Sequence, residues 1–253
     1  MTDKPRDPTV SVWVAPPKHP KRGSAPVGLS RERIVRTAVA LLDAEGVQAF
    51  TMRKLAAELD VTPMSVYWYV NNKDELLELA LDEAFGQMRL PSPQEHDDWR
   101  AHLRTLANES RRCFQEHPWA GQLAGQFLAL GPNSLLFSTS AVSAVARTGL
   151  PTDQLSAALS LIFDYTYGVA LLDARWDQQV RASGQSEDEF YQVVYGVLGQ
   201  ADSRFVENAE VIQSSPDGDF AEVRDRRFAQ GLDLALAGIE ATIAAARPAE
   251  QVG

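Results

Sequence analysis

Cysteine is nearly absent from this chain of 253 residues, and the one thiol, Cys113, cannot form an internal disulfide. The opening residues, MTDKPRDP, contain no apolar stretch of the signal-peptide type, and no apolar run reaches the roughly 20 residues that span a membrane. We therefore expect a soluble, cytoplasmic protein that does not act at a membrane. Cys113 could be a redox sensor, but its apolar helical surroundings favour a buried structural thiol.

The sequence also lacks the motifs of common enzyme sites. Its four histidines show no metal-ligand spacing such as H-x-x-x-H, and there is no glycine-rich phosphate loop and no G-x-S-x-G motif. Cys113 is followed four residues later by His117, but the sequence offers no third partner for a nucleophilic site. These absences argue against an enzyme, and they predict neither a bound metal nor a cofactor.

Persistent alternation of apolar and polar residues, which marks β-strands, is missing as well. Hydrophobic residues make up 45% of the chain, enough for a core, and they recur at helical spacing. The sequence therefore predicts an all-α fold. Downstream of a proline-bearing break, helices are predicted over about residues 97–116, 119–130, 133–148, 152–182, 186–211 and 220–246.

Acidic residues outnumber basic ones, 34 against 24, which gives a formal net charge of −10. Residues 1–75 hold 11 basic and 9 acidic residues, a net of +2, whereas the remainder holds 13 and 25, a net of −12. This distribution favours binding of DNA through the neutral-to-basic N-terminal part, the head, and keeps the acidic remainder, the body, away from the phosphates. A ligand-independent architectural DNA protein would have a basic body, so this charge pattern disfavours that alternative.

The most informative segment is TMRKLAAELDVTPMSVYWYVNNK, residues 51–73. Thr51 can cap a first short helix, and Thr62 can cap a second helix with Pro63 at its first position. Two short helices across a tight connection are the arrangement that places a helix in the major groove of DNA. The segment therefore predicts a helix-turn-helix.

Three adjacent aromatic residues, at positions 67–69, follow in the second helix. Val66 and Val70 share the face that packs on the first helix, which leaves the aromatics largely outside that stripe. Large aromatic side chains are costly to leave in water, so they need a partner such as the phosphates and sugars of DNA. The alternative is that Tyr67 or Trp68 completes the small core.

Helices are predicted on both sides of this pair. Ser30 can cap a preceding helix that Gly46 ends. Asn72 can cap a long amphipathic helix from Lys73 to about Met88, which would connect the small domain to the rest of the protein.

These residues resemble the tetracycline-repressor (TetR) family of bacterial transcriptional regulators. The most specific match is the string T-x-R-K-L-A-x-x-L…S-V-Y-W-Y-V…N-K-D-E-L-L from Thr51 to Leu77, and a weaker match continues at Trp99, 157–162 and 165–168. The resemblance implies DNA-backbone or groove-edge contacts for Arg53 and Lys54, base-edge contacts for Pro63, Met64 and Ser65, and phosphate contacts for Tyr67, Trp68, Tyr69 and Lys73. We add the capping residues Thr51 and Thr62 to the predicted DNA-binding set.

One departure from the family pattern affects the operator. Pro63 and Met64 stand where a relative often presents an amide and a proline, and proline cannot read adenine through two hydrogen bonds. The operator sequence is therefore not inherited from the resemblance.

The resemblance also implies a small-molecule pocket in the C-terminal body. Tetracycline with magnesium is not the expected ligand, because the segment 121–126 has no histidine and only Asp173 lies near the register of the second ligand. We expect a bulky apolar or aromatic compound; for each residue taken singly the alternative is an ordinary core position. The predicted ligand-binding residues are Arg89, Trp99, His102, Phe114, Trp119, Gln122, Gln126, Phe127, Phe137, Phe163, Tyr167, Asp173 and Trp176.

Two apolar stripes suggest a four-helix interface with a second copy of the chain, although both could equally pack inward. Two-fold dimers on palindromic half-sites are common among helix-turn-helix proteins, and the resemblance implies the same. The predicted interface residues are Leu155, Leu159, Ile162, Leu232, Leu236, Ile239 and Ile243.

We accordingly predict a disordered basic and proline-rich tail (1–28), a DNA-binding domain (29–75), a ligand-binding and dimerisation domain (76–246) and a short C-terminal tail (247–253). The basic tail either lies in a minor groove or carries incidental charge. Its apolar island at Ser11–Val14 is a candidate for docking on the body. The expected function is a repressor that binds a palindromic operator as a homodimer and is released by a small molecule.

Overall fold

A computed structural model of the protein describes residues 11–14, 28–91, 98–201 and 219–246, and its regular secondary structure in these ranges is entirely helical. The predicted all-α fold is thus confirmed. A short 3₁₀ turn at Thr152–Gln154 leads into the eighth helix. The α-helices are α1 Arg31–Ala49, α2 Met52–Glu58, α3 Pro63–Val66, α4 Lys73–Phe85, α5 Trp99–Glu116, α6 Pro118–Ala124, α7 Pro132–Ala146, α8 Leu155–Ser183, α9 Glu187–Ala201 and α10 Phe220–Ala246.

The caps predicted for the first three helices are present. The Ser30 hydroxyl accepts the Arg33 N–H at 3.1 Å, and the Thr51 hydroxyl accepts the Lys54 N–H at 3.2 Å. Gly46 adopts φ = 76°, as predicted for a helix end, but the chain resumes a helical turn and α1 continues to Ala49.

The third helix is shorter than predicted, because only Pro63–Val66 is α-helical. Residues 67–69 continue as tight turns, in which the Trp68 N–H donates to the Ser65 carbonyl and the Tyr69 N–H donates to the Val66 carbonyl. Val66 and Val70 remain buried on one face, as the pattern predicted.

Helix α4 is the central element of the first part of the fold. It packs on α1, α5, α6 and α7, and it ends at Phe85, one turn earlier than predicted. Burial from several sides explains why Leu76, Ala80 and Ala84 are fully inaccessible to solvent.

Helix α4 also carries three buried carboxylates on one face, Glu75, Glu78 and Asp82, at spacings of three and four residues. Buried carboxylates require hydrogen-bond partners, and each of these three finds them in a different segment of the chain. The three contacts fix α4 relative to the elements around it.

Cys113 lies on α5 with its side chain buried, and its thiol donates to the Ala84 carbonyl of α4 at 3.5 Å. Burial raises the pKa of this thiol to about 12. The nucleophilic thiolate is therefore scarce at neutral pH, which fits the structural role expected for this residue.

The chain divides into two compact units between Thr148 and Gly149. In the second unit α8 and α10 pack along the two stripes seen in the sequence: Ile162, Thr166 and Ala170 of α8 and Phe228, Leu232 and Leu236 of α10 are buried. Tyr165 stacks on Phe228 with 5.7 Å between ring centroids.

Two helical segments of the described ranges, Thr152–Ser183 and Phe220–Ala246, are long and apolar enough by composition to cross a membrane. Core helices of soluble proteins meet the same criterion, so this is weak evidence for a membrane span. Only 22% and 28% of their most apolar windows are buried within the chain, which leaves much apolar surface on both helices.

Candidate DNA-binding surface

The most exposed part of the helix-turn-helix is the surface of α3 and the turn after it. Met64 is 69% exposed, Tyr67 is 43% exposed and Trp68 is 39% exposed. Pro63 is exposed beside them. A helix-turn-helix that places large apolar side chains in solvent presents a surface suited to sugar, base edges and thymine methyl groups.

The hydroxyl groups at the start of α3 are engaged with each other. The Thr62 hydroxyl accepts the Ser65 N–H at 3.3 Å, and the two side-chain oxygens lie 3.0 Å apart. This cap fixes the direction of the first turn of α3. Thr62, Pro63 and Met64 are all exposed at this end of the helix.

The basic residues predicted on α2 differ in their surroundings. Arg53 is exposed, whereas Lys54 forms an ion pair with Glu45 of α1 at 2.6 Å. Both ends of this pair are open to solvent, so the pair is weak and the Lys54 ammonium can exchange its partner for a phosphate. Thr51 is exposed next to them.

Tyr69 and Lys73, both predicted to hold phosphates, have their polar atoms bonded within the protein. The Tyr69 hydroxyl donates to the Leu29 carbonyl at 2.7 Å. The Lys73 ammonium donates to the Phe50 carbonyl at 2.7 Å and lies over the Phe50 ring. The Tyr69 contact reaches the residue before the N-cap of α1, and the Lys73 contact joins the C-terminal end of α1 to the start of α4.

Helix α1, which precedes the helix-turn-helix, is joined to the start of α6 by one carboxylate. Asp43 Oδ1 of α1 accepts hydrogen bonds from His117 Nδ1 at 2.7 Å and from Trp119 Nε1 at 2.6 Å. His117 and Trp119 are buried. Trp119, predicted to bind ligand, therefore has its only side-chain donor committed to α1.

A second connection runs from α4 to the start of α7. Asp82 accepts the backbone N–H and the hydroxyl of Ser134, both at 2.9 Å, and the side-chain amide of Asn133 at 3.1 Å. This carboxylate caps α7 from outside that helix, where the helix dipole favours a negative charge. A β-carbon on residue 131 would overlap Asp82, so the close approach requires Gly131.

His102, another predicted ligand residue, lies in a buried polar group within the first unit. Arg147 donates to His102 Nδ1 at 2.8 Å, so this nitrogen is unprotonated and Nε2–H donates to Ser140 at 2.8 Å. The ring is thus held in one tautomer.

The other predicted ligand residues of the first unit differ in their burial. Gln122, Gln126 and Arg89 are exposed, Trp99 and Phe137 are half-buried, and Phe114 and Phe127 are buried. An open groove of about 460 Å³ on the first unit contains none of them. Its lining residues are Arg36, Thr37, Ala40, Leu41, Ala44 and Glu58.

In the second unit Asp173 and Trp176 have partners within the protein. Arg224 lies 3.6 Å from Asp173, 3.0 Å from Asp177 and 2.9 Å from Glu187. Trp176 Nε1 donates to Glu187 at 2.9 Å, and its ring packs in an aromatic cluster. Burial raises the pKa of Glu187, although the Arg224 charge opposes this. Phe163 and Tyr167 are half-buried on α8.

The residues predicted for the dimer interface differ from one another in their burial within the chain. Ile162, Leu232, Leu236 and Ile239 are buried within the chain, because α8 and α10 use these stripes to pack on each other. Leu155, Leu159 and Ile243 are half-buried. Part of each stripe is therefore used for packing within the chain.

Two long-range contacts were not expected from sequence, Asp43 with Trp119 and Asp82 with Ser134, whereas the contact of Ser11 with Glu78 agrees with the predicted docking of Ser11–Val14 on the body. Their partners lie 76, 52 and 67 residues apart along the chain. The sequence signal that was present is three acidic residues on one face of an otherwise apolar helix.

Protein-family models match two parts of the chain. The model described as "Bacterial regulatory proteins, tetR family" matches residues 34–80, and the model described as "Tetracyclin repressor-like, C-terminal domain" matches residues 90–243. The first match covers most of α1, all of α2 and α3 and more than half of α4. The second covers the region from shortly after α4 to near the end of α10.

Individual relatives agree with these matches. An HTH-type transcriptional regulator of Saccharopolyspora erythraea is 36% identical over 70% of this chain and 73% of that protein. The HTH-type transcriptional repressor DrrR1 of Streptomyces coeruleorubidus is 31% identical over 91% of this chain and 84% of that protein. The crystal structure of Streptomyces coelicolor ActR in complex with actinorhodin, 29% identical, superposes with a TM-score of 0.68 over 84% of this chain and 96% of that chain.

Proposed function

Because the chain belongs to the TetR family of transcriptional regulators, we propose that it is a repressor that binds a palindromic operator as a homodimer and is released by a small molecule. The observation that carries the DNA-binding part is the exposure of Met64, Tyr67 and Trp68 on one helix-turn-helix. We place the protein in the cytoplasm and assign it no enzymatic activity, in keeping with this role.

The proposed DNA contacts follow from the exposure of each side chain. Met64 and Pro63 meet base edges, and Tyr67 and Trp68 pack on sugar and donate to phosphates. Arg53, together with Lys54 and the exposed caps, contacts the backbone. Tyr69 and Lys73 are assigned a supporting role, because their donors are bonded to backbone carbonyls.

The proposed dimer uses the apolar faces that α8 and α10 leave exposed. Leu161 and Leu172 are eleven residues apart, about three helical turns, so they lie on the same face of α8. Leu234 of α10 is 75% exposed and is followed on its own face by the exposed small residues Gly238 and Ala241. Small residues allow close approach of helices, and an apolar exposed face of this extent marks a partner surface.

The proposed effector acts through the body of the first unit. Helices α6 and α7 carry predicted ligand residues; α6 is bonded to α1 through Asp43, and α7 is bonded to α4 through Asp82. A ligand that displaces α6 or α7 would therefore shift the helices that carry the recognition surface. Similarity to ActR, which has a structure in complex with actinorhodin, supports a bound organic ligand. We propose a bulky, largely apolar or aromatic compound.

Selection of duplexes from a random pool, followed by footprinting of the selected DNA, tests the DNA-binding proposal. We expect an inverted repeat and protection of both half-sites by the wild-type chain. The double variant M64A/Y67A should lose specific binding while keeping its helical circular dichroism, because both side chains are exposed. Failure to enrich any sequence would refute the proposal.

The effector is sought by adding compounds to the selected complex. Each compound is scored for thermal stabilisation of the protein and for loss of the footprint. A compound that stabilises the protein and releases the DNA is the expected result, with a coupling of roughly 5- to 150-fold in operator affinity. A stabilising compound that leaves operator affinity unchanged would contradict its assignment as effector.

A further inference from the structure

Residues Ser11–Val14 form a small turn that is hydrogen-bonded to α4, a helix that lies 67 residues farther along the chain at the contact with Glu78. The Ser11 hydroxyl donates to Glu78 Oε1, and the Val12 N–H donates to Glu78 Oε2 at 3.2 Å. The turn is closed by the Trp13 N–H, which donates to the Ser11 hydroxyl at 3.3 Å, and by the Val14 N–H, which donates to the Ser11 carbonyl at 3.1 Å. Both oxygens of one carboxylate are thus held by one turn.

This contact is buried. Ser11 is 5% exposed and Glu78 is 3% exposed, while Val14, at the edge of the turn, is 56% exposed. A carboxylate out of water depends on its hydrogen bonds, and bonds to an ionised acceptor are short and directional. Glu78 therefore keeps its bonds to Ser11 and Val12 only while α4 and the turn hold this relative position.

The position of Glu78 on α4 gives the contact its significance. One turn earlier, Glu75 accepts the Asn71 N–H at 2.8 Å and lies 3.4 Å from Arg31, which ties α4 to the helix-turn-helix. One turn later, Asp82 ties α4 to α7. Glu78 lies between the contact with the DNA-binding surface and the contact with the body.

We propose that the Ser11–Val14 turn is a clamp that fixes the position of α4, and that Ser11 and Glu78 are positioning residues for operator binding. This inference rests on the proposed function as a dimeric operator-binding repressor. In the proposed homodimer, a shift of α4 would move the recognition surface of α3 that is connected to it. The position of α4 would thereby affect the distance between the two recognition surfaces. The clamp therefore restricts the half-site spacings to which the dimer binds. It also lowers the entropy lost when the dimer binds an operator with the preferred spacing.

The test measures operator affinity and spacing preference for full-length variants. The probes are the duplex selected by the wild-type chain and two derivatives with one base pair added or removed between the half-sites. Variant S11A removes the hydroxyl and E78Q removes the charge. The control V14A changes an exposed residue of the same turn, and S11T restores a hydroxyl at position 11.

We expect S11A and E78Q to bind the selected duplex about 5-fold or more weakly, within the usual range of coupling between sites. Changing the half-site spacing should reduce the affinity of these variants less than it reduces that of the wild type, because the two recognition surfaces are less restrained. V14A should behave as wild type, and S11T should recover both quantities. If E78Q does not fold, S11A and a chain lacking residues 1–14 provide the same comparison.

A lower melting temperature with unchanged spacing preference would overturn the clamp and leave the turn a merely stabilising element. Equal affinities of S11A and wild type for all three duplexes would also overturn it. Failure to select any duplex with the wild-type chain would instead refute the proposed function, so the two failures are distinguishable.

Discussion

The Tyr165 hydroxyl of α8 occupies the space that a β-carbon on Gly231 of α10 would need. From this position it donates to the Phe228 carbonyl at 3.1 Å, one turn back along α10. The absence of a side chain at residue 231 thus lets a tyrosine hydroxyl reach the backbone of the neighbouring helix.

Replacing Gly231 with alanine should separate α8 from α10. Overpacking of a tight contact costs typically about 1–3 kcal/mol and the helix-propensity gain from Gly to Ala is about 1 kcal/mol, so we expect a net loss of up to about 2 kcal/mol. Urea unfolding followed by circular dichroism measures the loss. The matched control is G196A on α9, where an added β-carbon meets nothing within 4 Å and stability should be unchanged or higher. Equal stability of the two variants would contradict the packing argument.

Met64 should recognise a thymine of the operator by contact with the methyl group of that base. Substituting deoxyuridine for each thymine of the selected operator removes one methyl group, and where Met64 contacts it the loss should be about 0.8 kcal/mol, or roughly four-fold in affinity. In M64A the same substitution should cost little, since the contact is already gone. Fluorescence anisotropy on both duplexes with both proteins gives the coupling directly. Additive losses at every thymine would exclude Met64 from methyl reading.

Leu234 should support dimerisation and Leu232 should support folding, although they are two residues apart on α10. Leu234 is 75% exposed and Leu232 is 2% exposed. We expect L234E to give a folded monomer by light scattering and L232A to lower the unfolding free energy by about 2–5 kcal/mol. The control V193E places the same charge on an exposed apolar position of α9. A dimeric L234E protein would exclude this face from the interface.

Glu109 should make a small favourable contribution to the free energy of unfolding, and this contribution should be lost at acidic pH. Burial of Glu109 acts to raise its pKa, but hydrogen bonds from Arg112 and from the Arg89 backbone outweigh it and hold the pKa below its ordinary value of 4.5. Because the folded pKa is the lower one, the stabilisation is complete above pH 4.5 and disappears as the pH falls through the folded value.

Comparison of E109Q with the wild type by urea unfolding from pH 7 downward checks this. Arg112 is about one-third exposed, so solvent screening limits the difference at pH 7 to about 1 kcal/mol or less. The two proteins should converge in acid. A difference that grows as the pH falls would have the wrong sign for a lowered pKa.

Local signals in the sequence were sufficient for the caps and the helix-turn-helix. Ser30, Thr51, Thr62 and Asn72 each cap the helix predicted after them, because a cap depends only on residues within one turn. The extent of α3 was not predictable in this way, since the tight turns at 67–69 preserve the burial of Val66 and Val70 without continuing the α-helix.

The partners of polar side chains were beyond the reach of periodicity. The apolar stripes through Ile162 and Leu232 were correctly identified. Helical periodicity does not show, however, whether an apolar stripe packs on a helix of the same chain or of a second copy. Lys73 and Tyr69 look like phosphate ligands in sequence, and only the fold brings them to the carbonyls of Phe50 and Leu29.

The three carboxylates of α4 also bear on the engineering of hybrid regulators. A chimera that joins the recognition helices of this protein to another body would be cut most simply near Glu75. A cut at that point would separate Ser11 from Glu78, and a cut farther along, after Asp82, would separate Asp82 from the Gly131 that makes room for it. A modular exchange must therefore move α4 together with both partners as one cassette.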